Sequence, residues 1–182
     1  GTLFPYTTLF RSYDYWNLWV HGDCDPAQQG RQCFEQLVEN HDLIIFKHCY
    51  PGSDVLPDTG FPDVSSSRKS LENYKLQYRA LRDLLDSRPD KMFILWTLPP
   101  RHRNKVPAEG TAEGNAARAT QFASWILDGF LTEDGRSHPN IFVFDFRGLV
   151  SGEDNFLAYA FERDHDGTDS HPNTAANQYV AP

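Results

Sequence analysis

Three short apolar runs, each followed or preceded by turn-forming residues and each separated from the next by an amphipathic stretch, constrain this chain most. Asp42 to Tyr50, D-L-I-I-F-K-H-C-Y, opens on an Ile-rich run and leads into Pro51, Gly52, Ser53 and Asp54. Met92 to Leu98, M-F-I-L-W-T-L, stops at Pro99 and Pro100, and Ile141 to Phe146, I-F-V-F-D-F, follows Pro139 and Asn140. Near-continuous apolar runs of this length, bounded by Gly and Pro, predict strands buried on both faces. Between the first two, Ser70 to Ser87 sets Leu71, Tyr74, Tyr78, Leu81 and Leu85 at spacings of three and four, the stripe of an amphipathic helix. Ser70 with Asn73 forms a partial capping box and Pro89 marks the stop. Between the last two runs, Ala112 to Leu131 repeats the pattern with Ala116, Ala119, Phe122, Ala123, Ile126, Leu127 and Phe130 on one face.

Strand, helix, strand, helix, strand with buried strands predicts an α/β fold: a parallel sheet with right-handed crossovers, three-layered and doubly wound. Upstream, Tyr13 to Val20 reads as one more strand and Gln32 to Asn40 as a short helix; Ala175 to Pro182 enters a final element. Two long loops, Pro57 to Ser67 and Arg101 to Gly114, leave the carboxyl ends of the first and second strands. Ligand sites of open α/β sheets gather on that edge, and long loops there point to function more often than short ones.

The two ends read as cuts. Thr2 to Ser12, T-L-F-P-Y-T-T-L-F-R-S, matches one reading frame of a common short-read sequencing adapter residue for residue. Residues 1–12 are therefore expected to lie outside the fold, and 13–182 to form one partial domain of a longer protein. With 182 residues, a net charge of −8 and no apolar run approaching a bilayer span, the composition excludes a nucleic-acid coat and a membrane-spanning helix. Cys24, Cys33 and Cys49 form no C-x-x-C pair, which argues against a structural zinc site. Cys24 and Cys33 could close a small disulfide in an exported protein, free thiols being the simpler reading, and Cys49 reads as a small buried hydrophobe. The compartment stays open.

The densest polar cluster is Asp164 to Asn173, D-H-D-G-T-D-S-H-P-N. His171 is its natural general base, because imidazole titrates near neutrality. Asp169 shares a face with it if the segment is extended, and Pro172 keeps His171 out of helical geometry. A solvated loop with no chemistry explains the same composition. Glu162, Asp164, Asp166 and Gly167 imitate the start of a calcium loop, but Asn173 stands where a bidentate Glu is required. His165, Asp169 and His171 as transition-metal ligands have only residue type and proximity behind them. No Gly-rich phosphate motif occurs. Trp96 and Trp125, tempting as sugar-stacking platforms, read more simply as core.

Five segments together resemble the SGNH/GDSL hydrolases, a poorly characterised bacterial branch of them most closely: D-L-I-I-F-K-H-C-Y-P-G-S-D-V, S-L-E-N-Y-K-L-Q-Y, F-I-L-W-T-L-P-P, N-I-F-V-F-D-F and, most specifically, D-S-H-P-N-T-A-A-N. The resemblance implies a flavodoxin-like α/β/α fold and hydrolysis of an ester, often an acyl group on a carbohydrate, with no cofactor or metal. It assigns His171 as general base. The family's Asp usually stands three residues before its His, where this chain has Thr168, so Asp169 is the nearest carboxylate for the orienting role. The oxyanion loop of the family corresponds to Pro51, Gly52, Ser53 and Asp54, with Ser53 at the usual Asn position; Lys47, His48 or His102 are alternative sources of positive charge. The nucleophilic Ser falls upstream of Tyr13, so the chain as written is expected to be inactive, to fold poorly and to leave a gap in the sheet where that first strand would lie. The competing reading is a non-catalytic flavodoxin-like binding module, or a family member that has lost its catalysis.

Overall fold

The computed structural model describes residues 15–24 and 33–181. Residues 1–12, read above as adapter, fall outside this range. Three parallel strands, β1 (Leu43–Phe46), β2 (Met92–Trp96) and β3 (Ile141–Phe144), form one sheet in the order β1-β2-β3. Phe46 is level with Leu95, and Trp96 with Phe144. The chain is therefore α/β with a parallel sheet, as the alternating pattern predicts.

Five α-helices accompany the strands: α1 (Phe34–Asn40), α2 (Leu71–Asp86), α3 (Ala112–Asp128), α4 (Phe146–Val150) and α5 (Thr174–Val180). Helix α2 starts where its cap predicts, with the Ser70 side chain accepting from the Asn73 N–H. It is fastened at its far end by Asn140, whose side-chain amide donates to the carbonyls of Leu85 (3.1 Å) and Arg88 (3.0 Å). Both carbonyls also accept a backbone N–H of the turn that ends the helix, from Arg88 (3.1 Å) and Lys91 (3.0 Å), and Asn140 delivers the chain into β3.

One sheet face, made by Ile44, Phe46, Phe93, Leu95 and Ile141, carries the main core. Against it pack Phe34 and Val38 of α1, Tyr74 and Leu81 of α2, and Phe122 and Ile126 of α3. The other face has a smaller core at its carboxyl end, where Trp96 and Phe144 meet Phe146 and Val150 of α4 and Ala176 of α5. Its amino-terminal half is open: Leu43, Ile45, Met92 and Phe142 are 48%, 54%, 46% and 45% exposed. The expectation of strands buried on both faces is thus corrected. The runs are continuously apolar, yet α4 and α5, at five and seven residues, cover only part of the second face.

Two further expectations change. The strand predicted to end at Val20 is, over Trp16–Val20, a turn of π-helix. Tyr15 and Trp19, four residues apart, pack at a tilt with ring centres 4.7 Å apart, and both meet Phe46 edge-on. Aromatic content that suits a strand serves here as one helical face closing the core. The sheet also has no internal gap, because its strands are consecutive in the chain and neighbours in space; another strand could join only at an edge. Cys24 and Cys33 form a disulfide with Cα atoms 5.5 Å apart, so the free-thiol reading does not hold for them. Cys49 is free and only half-buried, rather than a core residue. No helix among the described residues is long and apolar enough to cross a membrane.

Candidate functional site

The carboxyl edge of the sheet gathers four segments: the 3-10 turn Tyr50–Ser53 after β1, the loop 97–111 after β2, Asp145 after β3, and the polar segment 162–173. Side chains knit them together. Asp145 caps α4 at the Gly148 N–H (2.9 Å) and accepts from Thr97 Oγ1 (3.0 Å) at the end of β2. The carboxylate sits so close that any Cβ on Gly148 would collide with it. Arg68 bridges the first long loop to the second through a bidentate pair with Glu109 at 2.9 and 2.7 Å.

His171 stands on this edge with its side chain half exposed. Asp169 Oδ1 accepts from the His171 backbone N–H (3.0 Å) and lies 2.6 Å from ring Nδ1. One carboxylate oxygen thus fixes both backbone and ring, which the two-residue spacing allows because the segment is not helical here. The tautomer that donates from Nδ1 leaves Nε2 as the basic nitrogen, and no group among the described residues bonds it. The His171 backbone N–H, opposed only in part by burial, holds the Asp169 carboxyl below its ordinary range; the His171 ring and the Arg163 guanidinium at 3.5 Å add to this. The Tyr50 ring meets the imidazole edge-on at 4.7 Å. The structure therefore brings His171 and Asp169 together and sets Tyr50, the first residue of the turn after β1, against the His171 ring.

The remaining predicted residues are placed differently. The Gly52 N–H donates to Cys49 O (2.8 Å) and its carbonyl accepts from Tyr74 OH (2.9 Å). Ser53 is buried and its Oγ has no partner; it lines a small cavity away from His171, together with Arg101 and Arg147. His48 is core: it stacks on Tyr78, and burial, with the charges of Lys69 and Lys47, pushes it down to about 3. Lys47, lowered by burial against the pull of Cys49, lies over the Phe146 ring. His102 is fully buried. Its Nδ1 accepts from the Asn104 N–H (3.1 Å), so Nε2 carries the proton and donates to Asp164 O (3.0 Å). That residue is a tie between loops, supplying no charge to an open site. Among the described residues, no group of three or more His, Cys, Asp or Glu side chains is arranged to hold a metal ion. His165 instead stacks on Tyr159 and meets Glu162 at 2.9 Å.

Sequence reasoning missed Tyr50, Arg163 and Arg147 as parts of this edge, and read Glu162 only as the start of a calcium-like loop. Glu162 is buried beneath the 164–171 segment and accepts from Arg103 Nε at 2.9 Å. Burial alone would raise its carboxyl, but hydrogen bonds from His165 and Arg103 and the charge of Arg103 hold it below the usual glutamate range. A carboxyl depressed in the folded state contributes stability above its unfolded pKa and loses it as pH falls through the folded value. Unfolding free energy should thus drop as pH falls from about 5 to about 3. Glu162→Gln should start less stable and show a shallower drop, read from urea midpoints at the two pH values. An unchanged slope would show that Glu162 is not linked to folding.

Compared with known proteins, the chain matches no family model, no curated protein and no solved structure.

Proposed function

We propose that the chain is part of a serine ester hydrolase of the SGNH/GDSL type, with His171 as general base and Asp169 as the residue that orients it. The observation carrying this reading is the single Asp169 oxygen shared by the His171 backbone N–H and ring Nδ1, on a ring whose side chain is half exposed. In such a reaction a seryl hydroxyl, supplied by sequence outside this chain, gives its proton to Nε2 as it attacks the acyl carbonyl. The protonated ring then returns that proton to the departing alcohol. Asp169, held ionised, stabilises the imidazolium in between. The substrate class is a small-molecule or carbohydrate ester.

We extend the parallel sheet in the same sense to a three-layer flavodoxin-like fold. The packing of α4 and α5 on Trp96 and Phe144 supports it as the start of a second helical layer. A disulfide between Cys24 and Cys33 suits an oxidising compartment. One observation favours the non-catalytic alternative: the Gly52 N–H is engaged and Ser53 Oγ is buried, so the turn read as an oxyanion loop presents neither group to an acyl oxygen.

Reading the source DNA upstream of Tyr13 separates the two. The hydrolase reading expects an apolar strand ending in a small-residue turn with Ser, and no ester turnover by the 182-residue chain alone. A natural start near Tyr13, or an upstream turn without Ser, would leave the binding module as the better description.

A further inference from the structure

Beside the Tyr50–Ser53 turn lies a cavity of about 10 Å³ whose lining includes Ser53, Asp54, Arg101, Lys105, Asn115 and Arg147. Three polar atoms on these residues are shielded from solvent and have no hydrogen-bond partner: Ser53 Oγ, Arg101 Nε and Arg147 Nη1. Ser53 is 1% exposed and Arg147 3%. The rest of the Arg147 guanidinium is held by neutral acceptors, with Nε donating to Thr120 Oγ1 (3.1 Å) and Nη2 to the carbonyls of Asn155 (2.8 Å) and Ala116 (3.2 Å). No carboxylate among the described residues touches it. Asp54, the one acidic group on the lining, is already committed to Arg101 and to Asn115 Nδ2 (2.7 Å).

An arginine N–H can only donate, so whatever fills this space must accept from two guanidinium groups. It must also sit among Arg101, Lys105 and Arg147 with a single carboxylate to balance them. A buried charge without a partner is costly. Water meets the first requirement; a small anion meets both. The volume is about that of one small particle, which favours a monatomic anion over phosphate or a ligand carrying a carboxylate. We propose that this cavity binds one monovalent anion of about chloride size, held by Arg147, Arg101 and Ser53. Burial draws the Arg147 guanidinium down to about 10 against the opposing charge of Asp145, which is consistent with a cation that lacks a contacting counter-charge.

The three residues come from three places on the carboxyl edge: Ser53 after β1, Arg101 after β2, and Arg147 in α4 after β3. A bound anion would fasten those segments to one another, including the turn that sets Tyr50 against His171. The inference does not depend on the hydrolase reading.

Thermal unfolding of the 182-residue chain in sodium chloride, sodium bromide and sodium gluconate at equal ionic strength tests it, gluconate being too large for the cavity. The two halides should give a saturable rise in Tm over gluconate, about 2–4 °C once the halide reaches about five times its Kd. Arg147→Met should abolish the rise. Because that variant also breaks a buried network, Ser53→Ala is the second test: it removes a hydroxyl that has no protein partner, and should raise the half-saturating halide concentration several-fold. Crystals soaked in bromide should show an anomalous peak within the cavity. Equal Tm in the three salts, a halide effect untouched by Ser53→Ala, or a cavity holding only water would each overturn the proposal.

Discussion

On the proposed hydrolase reading, replacing His171 with Ala in the full-length protein should lower kcat toward an acetyl ester by about 10²–10⁴-fold, with KM changed little. The split follows from where the ring stands. Half of its side chain is exposed on the sheet edge and its main partner is Asp169, so removing it deletes a proton acceptor without opening the core. Asp169→Asn should also act on kcat. It leaves a side chain of nearly the same shape but removes the charge that favours the imidazolium, and its amide can present a donor to Nδ1 and select the wrong tautomer. The Arg163→Ala variant should be milder, because Arg163 reaches Asp169 at 3.5 Å from a solvated position. Steady-state kinetics on the three variants, with Tm as a control, decide the matter. A His171→Ala enzyme that keeps turnover within about twofold of wild type would remove His171 from the chemistry.

The parts of this arrangement legible in the sequence are those set by local pattern. The stripe Leu71, Tyr74, Tyr78, Leu81, Leu85 placed α2, and Ser70 placed its cap, because side chains three and four apart must share a helical face. The pairing of Asp169 with His171 was readable from a spacing of two in a segment that Pro172 keeps out of helical geometry. Long-range packing was not readable. Nothing local shows that Tyr15 and Trp19 curl into a π-helical turn to cover Phe46, or that His48 and His102 leave the edge for the interior. The continuous apolar runs suggested two covered faces, but coverage depends on how much helix is available to each face, and α4 and α5 are short. Arg147 had no signal at all: its burial is decided by Thr120 and Ala116 of α3, distant in the chain, together with Asn155 eight residues further on.

Phe122→Ala should be among the most destabilising single substitutions in the core, costing about 3–5 kcal/mol of unfolding free energy. Phe122 is fully buried on α3. Its ring stacks on Tyr74 at 5.0 Å and meets Tyr78 edge-on at 4.9 Å, so the contact between α2 and α3 runs through it. The void left by Ala cannot close easily. Tyr74 is tethered through its hydroxyl to Gly52 O at 2.9 Å, and Tyr78 is stacked against His48 on its other side. Folded domains hold only about 5–15 kcal/mol in total, so the variant would be near the limit of a stable fold. Phe122→Leu, which refills part of the space, should cost less. Urea unfolding of both variants measures the effect, with an unchanged slope showing that the compactness of the folded state is retained. The same tether gives a second consequence. If Tyr74 shifts into the void it pulls on Gly52, and the turn that holds Tyr50 against the His171 ring must follow. The Phe122→Ala site should therefore show altered His171 ring resonances by NMR even where the protein remains folded. A loss below about 1 kcal/mol would mean that α2 and α3 do not share this core.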